Sequence, residues 1–187
     1  MSVTTEKLLA YHSDPTIKEK YLTRVRKHRE ADQLVKGKYW QGGKGCAVGC
    51  TLHSDDHSAY ETELGLPEWL ARLEDTLFEN MPNENSMLFP ERLLEAIPVG
   101  AWVEPVRWKF ALFLLGENAE RVKALEITDE LKQQVLSVIE QVCDVNRQAI
   151  KTGGWNESAA RSAARSAAWS AAWSAARFAA WSAAWSA

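Results

Sequence analysis

The chain has 187 residues, 46% of them hydrophobic, and a net charge of -3; this fits one domain with an appendage and supplies ample material for a packed core. The charge argues against nucleic-acid binding by the chain as a whole, three cysteines give no even-numbered disulfide framework, and MSVTTEKLLAYH lacks the apolar core of a signal peptide. The longest apolar block, from Val106 to Leu115, is interrupted by Arg107 and Lys109 and is too short to span a bilayer, so the expectation is a soluble cytoplasmic protein without a transmembrane segment.

The periodicity is helical nearly throughout. Asp14-Pro15 is a cap with a first-turn proline, and Ile17, Tyr21, Leu22 and Val25 line one face of a helix expected to run to about Lys36. Its segment KEKYLTRVRKHRE reads as a solvated face, although residues 1–50 carry ten Lys/Arg against five Asp/Glu and the remainder twelve against twenty. Residues 37–45 form a glycine-rich loop holding Tyr39 and Trp40; CAVGCTLH then restarts a helix that Gly49 weakens and Ser54 interrupts, with Ser54, Asp55 and Asp56 as a fresh N-cap. Pro67 opens a helix with Trp69, Leu70, Leu73, Leu77 and Phe78 at core spacing, and shorter helices are expected over 89–97 and 105–115. Thr128 caps the longest amphipathic stretch, which stops at Gly153-Gly154. No alternating segment of useful length appears, so the fold class is all-α: a multi-helix bundle over residues 1–154 and a four-residue-repeat helix over 155–187 packed on it.

That repeat places Arg161, Arg165, Trp169, Trp173, Arg177, Trp181 and Trp185 at every fourth position among alanines. A period of four advances each large side chain by about 40°, so Trp169 to Trp185 spread over about 160° of the helix surface and one flat partner cannot bury them all. The tail either serves oligomer or partner binding or, as tandem expansion would leave it, covers the body of its own chain.

The chemistry is concentrated in GGKGCAVGCTLHSDDHSAYE. Cys46, Cys50, His53, His57 and Glu61 follow one another at helix-face steps and would lie within about 80° on an unbroken helix. Three readings fit. Zinc could take only an adjacent pair such as Cys46/Cys50 or His53/His57, because Cys46 and Glu61 stand about 22 Å apart along such a helix; Cys50 and His53 are the candidate metal ligands, and a full sphere needs the second segment folded back or Cys143, His12 or His28. Thiol catalysis would use Cys46 as nucleophile, favoured as thiolate by the helix dipole and Lys44, with His57 as base and Glu61 orienting it. An anion cradle would use Gly43, Lys44 and Gly45, with Trp40 stacking on the ligand; the spacing is not that of a P-loop. Against all three stands the plain alternative of buried cysteines, hydrogen-bonded histidines and glycines that turn the chain.

The segments GKGCAVGCTLHS, Ala59-Tyr60-Glu61, ETELGLP and LARLEDTLFENMP resemble a family of small uncharacterised proteins carried by bacteria and phages, over residues 11–97. The resemblance implies no activity. The Ala/Trp/Arg tail resembles tails on some predicted immunity proteins of bacterial toxin systems. Together they imply an accessory protein that binds a small anionic ligand or a protein partner through the glycine-rich loop and the Cys/His/Glu helix; the alternatives are a thiol- or zinc-dependent hydrolase using Cys46 and His57, and an immunity-type antagonist.

Overall fold

The computed structural model describes residues 7–154 together with Ser158, Arg161, Ser162 and Arg165. The described residues are 68% helical, and among them there is one two-stranded sheet, so the all-α class holds. It divides into two compact units, one ending at Glu104 and one beginning at Pro105. That division was not legible in the sequence, and most of the repeat tail lies outside the described residues.

The first unit opens with a turn over Ala10–Ser13 in which Tyr11, His12 and Ser13 all have positive φ. Its conformation is held from outside: Ala10 N–H donates to Ala101 O and accepts at its own carbonyl from Gly100 N–H, and the buried Tyr11 hydroxyl donates to Leu94 O at 2.6 Å. Helix α1 (Pro15–Glu30) starts as expected, with the Asp14 carboxylate accepting from Thr16 N–H and Oγ1. It stops six residues short of the expected end. Asp32 turns left-handed (φ 57°), and residues 33–35 become extended so that Val35 N–H donates to Gly45 O and Gly45 N–H to Gln33 O. Two hydrogen bonds to a distant segment outweigh the local preference of a Lys-bearing sequence to continue as helix.

Strands β1 (Trp40–Gln41) and β2 (Lys44–Gly45) pair antiparallel around Gly42-Gly43, both with positive φ, as a two-residue primed hairpin turn requires. Helices α2 (Ala47–Leu52), α3 (Ala59–Leu64), α4 (Glu68–Asn80), α5 (Asn83–Ser86) and α6 (Phe89–Ala96) follow. Helix α1 packs on α2 and α6, and α2 on α4. Tyr11, Tyr21, Val25, Val48, Tyr60, Leu64, Leu66, Phe78 and Leu94 are fully buried at the centre. Arg26 and Arg29 both pair with Glu91, at 2.6 and 3.1 Å, and Lys18 Nζ donates to the carbonyls of Glu95 and Ile97 at the end of α6.

The second unit is a helical hairpin of α7 (Val106–Ala124) and α8 (Asp129–Thr152), which pack on each other. Helix α7 runs well past its expected end at Leu115, because six of the eight residues in the ENAERVKA that follows Gly116 are strong helix formers. Helix α8 has the expected bounds: Thr128 accepts from Leu131 N–H, and Gly153 (φ 71°) ends it. Among the described residues no helix is long and apolar enough to cross a membrane.

Candidate functional site

The expected continuous helix face breaks at its middle. Helix α2 ends where His53 adopts the left-handed conformation (φ 58°, ψ 36°) and caps its C-terminus, its N–H donating to Gly49 O. The interruption falls one residue before the expected Ser54, and the next helix starts only at Ala59, after a turn in which Asp56 accepts from Ser58. The candidate residues are therefore distributed between two clusters.

In the first, His28 from the last turn of α1, His53 and Trp40 from β1 meet. His28 Nε2 and His53 Nε2 are 2.7 Å apart, and His28 Nδ1 lies 2.7 Å from Gln33 Oε1. A carbonyl oxygen only accepts, so in the neutral pair His28 donates from Nδ1 to Gln33 and accepts at Nε2 from His53 Nε2–H; Nδ1 of His53 then carries the ring's free lone pair. Trp40 stacks on His53 with centroids 4.7 Å apart and planes 12° from parallel, and meets His28 edge-on at 5.5 Å. Arg24, anchored by a 2.7 Å bond from Nη1 to Thr51 O and lying over the Tyr21 ring, adds positive charge beside the pair. Burial, then Arg24, then His28 hold the His53 imidazolium below its ordinary range. His28 itself is buried while His53 is exposed.

The second cluster gathers on α4. Cys46 is the N-cap of α2, its Sγ accepting from Gly49 N–H at 3.5 Å, and its side chain meets Asp75. Asp75 Oδ2 stands 3.7 Å from His57 Nε2, and the His57 ring packs edge-on against Tyr39, which is 58% exposed. Asp75 Oδ1 is buried without a partner. Asp75 was not singled out by sequence, because on α4 it reads as one more helix carboxylate; only its meeting with Cys46 and His57 marks it. Just before it, Glu74 is fully buried and accepts from the Tyr60 hydroxyl; burial, helped by the nearby Asp75 charge, pushes it up to about 8 against the lowering from the Tyr60 hydrogen bond.

Several expectations change on this geometry. Cys46 is not a favoured thiolate: it is 1% exposed, and burial followed by Asp75 pushes the thiol up to about 12, against the lowering contributed by Gly49 N–H. The carboxylate beside His57 is Asp75 and not Glu61, which instead accepts from Glu68 N–H at the start of α4. Cys50 and His53 have separate partners: the Cys50 thiol, pushed up to about 11 by burial, donates to the carbonyls of Gly45 and Gln33, while His53 pairs with His28. Among the described residues no three His, Cys, Asp or Glu side chains are gathered to hold a metal ion.

The glycines serve the fold. Gly43 is part of the hairpin turn, and Gly45 N–H and Cys46 N–H already donate to Gln33 O and Lys38 O, so these backbone donors are spent on the protein. At Gly45 and Gly49 a Cβ would stand 2.2 and 1.6 Å from Tyr39 O: the absent side chains let the segment at Tyr39 lie directly on β2 and α2. Lys44 is exposed on β2. Compared with models of protein families, with curated proteins and with solved structures, the chain matches none.

Proposed function

We propose that this chain is a cytoplasmic binding protein of bacterial or phage accessory type that takes a small anionic ligand at the edge formed by Arg24, Trp40 and His53. The supporting observation is His53 paired with His28 and stacked on Trp40, with the Arg24 charge beside it. With Nε2 engaged by His28, Nδ1 of His53 is the nitrogen available to a ligand, and Trp40 supplies a flat apolar wall. The glycine-rich hairpin contributes by carrying Trp40 rather than by cradling the anion itself.

The electrostatics give the reading a direction. His53 is held below its ordinary range by burial first and the Arg24 charge next; an anion seated there offsets that charge, and binding then takes up a proton at His53. Affinity therefore rises as the pH falls. Three free, buried cysteines agree with a reducing compartment.

The test is a titration with inorganic phosphate at pH 6 and pH 8, followed by the imidazole resonances of His53 and the indole resonance of Trp40. Saturable shifts at both residues, stronger at pH 6 and abolished by His53→Ala, are expected. The absence of saturable shifts at both pH values with phosphate, and again with acetate, refutes the reading.

A further inference from the structure

Two opposite charges meet at Tyr21 without pairing with each other. The buried ring lies under the Arg24 guanidinium, with Cζ 4.9 Å from its centroid, while its hydroxyl donates to the Glu63 carboxylate. Arg24, on α1, is held by a 2.7 Å bond to Thr51 O on α2; Glu63 belongs to α3, and both charged side chains are half-buried. With the guanidinium set over the ring and the carboxylate beyond the hydroxyl, the two charged groups stand on the order of 7 Å apart. Lys20 lies over the same ring at 4.6 Å and donates to the Tyr21 hydroxyl at 3.2 Å, but among the described residues neither Arg24 nor Glu63 forms an ion pair. Both charges are presented at a fixed spacing and left for something outside the chain to bridge.

We infer that the ligand at the edge of Arg24, Trp40 and His53 is a free α-amino acid, its carboxylate on Arg24 and His53 and its ammonium on Glu63. The inference rests on the binding reading proposed above and adds Glu63 to it. The first argument is charge. Glu63 acts on the His53 imidazole in the direction opposite to Arg24, so a molecule seated at His53 faces a positive and a negative group together. A ligand with anionic groups alone gains from Arg24 and is opposed by Glu63, and half-burial leaves both terms poorly screened. A zwitterion gains from both.

The second argument is reach. An α-amino acid carries its two charged groups on either side of one carbon, and a hydrogen bond of about 2.9 Å at each end lets it bridge a gap on the order of 7 Å. A plain carboxylate of the same size leaves Glu63 without its partner. The third argument is rigidity: the frame is a buried tyrosine ring and a backbone carbonyl drawn from packed helices, so the spacing is set before the ligand arrives and little ordering is required on binding. Were Glu63 only the acceptor for the Tyr21 hydroxyl, a neutral amide would serve that purpose as well.

Glycine, acetate and N-acetylglycine titrated into the intact chain at pH 7, followed by the His53 imidazole and Trp40 indole resonances, test this. Glycine should bind about tenfold more tightly than either of the others, the step expected of one charge-assisted hydrogen bond. Glu63→Gln keeps an acceptor for Tyr21 and removes the charge; in this variant glycine should fall to the affinity of acetate, while acetate binds as before or more tightly. Equal affinities for glycine and acetate in the unaltered chain overturn the inference and leave the anion reading standing, and so does a preference for glycine that Glu63→Gln does not change. The absence of saturable shifts with all three overturns both. Should Glu63→Gln lose helicity, the ligand series in the unaltered chain decides: N-acetylglycine, which keeps the carboxylate and lacks the positive charge, refutes the inference if it binds as tightly as glycine.

Discussion

Glu74 should make the first unit lose stability as the pH rises through neutrality, and its replacement by glutamine should remove that loss. The side chain is fully buried, one oxygen accepting from Tyr60 and the other without a partner, and it holds its proton up to about 8 against an ordinary value of 4.5. Between those two pH values the unfolded chain has released the proton and the folded chain has not. The folded state then binds more protons, so stability is fully present below 4.5 and falls as the pH climbs towards 8. A displacement of this size corresponds to about 5 kcal/mol withdrawn across the window. Glu74→Gln keeps the shape and the acceptor for Tyr60 but cannot ionise. Urea unfolding followed by circular dichroism at pH 5, 7 and 8.5 compares the two proteins directly. The difference between them should be small at pH 5 and should grow to several kcal/mol in favour of the variant at pH 8.5. Parallel stability profiles across this range would show that Glu74 is not held protonated and would refute the reasoning.

Other substitutions probe other parts of the structure. Gly49→Ala puts a Cβ 1.6 Å from the Tyr39 carbonyl oxygen, a backbone atom with little freedom to move; a loss of about 3 kcal/mol is expected in thermal unfolding, and a change within experimental error would contradict the close approach of the Tyr39 backbone to α2. Gly116→Ala is its opposite, a helical position with nothing within 4 Å, where a gain of about 1 kcal/mol is expected from helix propensity alone. Cys46 and Cys50, pushed up to about 12 and about 11, should react with a thiol reagent at pH 7 only when the protein is unfolded in urea; rapid labelling of Cys46 in the native protein would restore the nucleophile reading. Thr128→Ala removes the side-chain acceptor for Leu131 N–H and should cost about 1 kcal/mol in the second unit, read from the unfolding of α8.

Local chemistry alone determined most of the helices. Asp14-Pro15, Thr128 and Gly153 are signals that act within a turn of the backbone, and the starts of α1 and both ends of α8 fall where those residues put them. Apolar spacing likewise marked α4 and α6, since a buried stripe at steps of three and four has one geometric meaning. Trp40, Cys46, His53 and His57, which the sequence singled out, each meet a side chain from another part of the chain. What they meet was decided by tertiary contacts. His53 ends α2 in a left-handed turn and pairs with His28, twenty-five positions earlier; Cys46 and His57 meet Asp75, which lies on a later helix. Helix α1 yields its last expected turns to hydrogen bonds with Gly45, and burial reverses the thiolate expected of Cys46. Helix caps and periodicity are set by neighbours along the chain, whereas pairing, burial and pKa are set by atoms brought together across it, and only the folded structure determines which atoms those are.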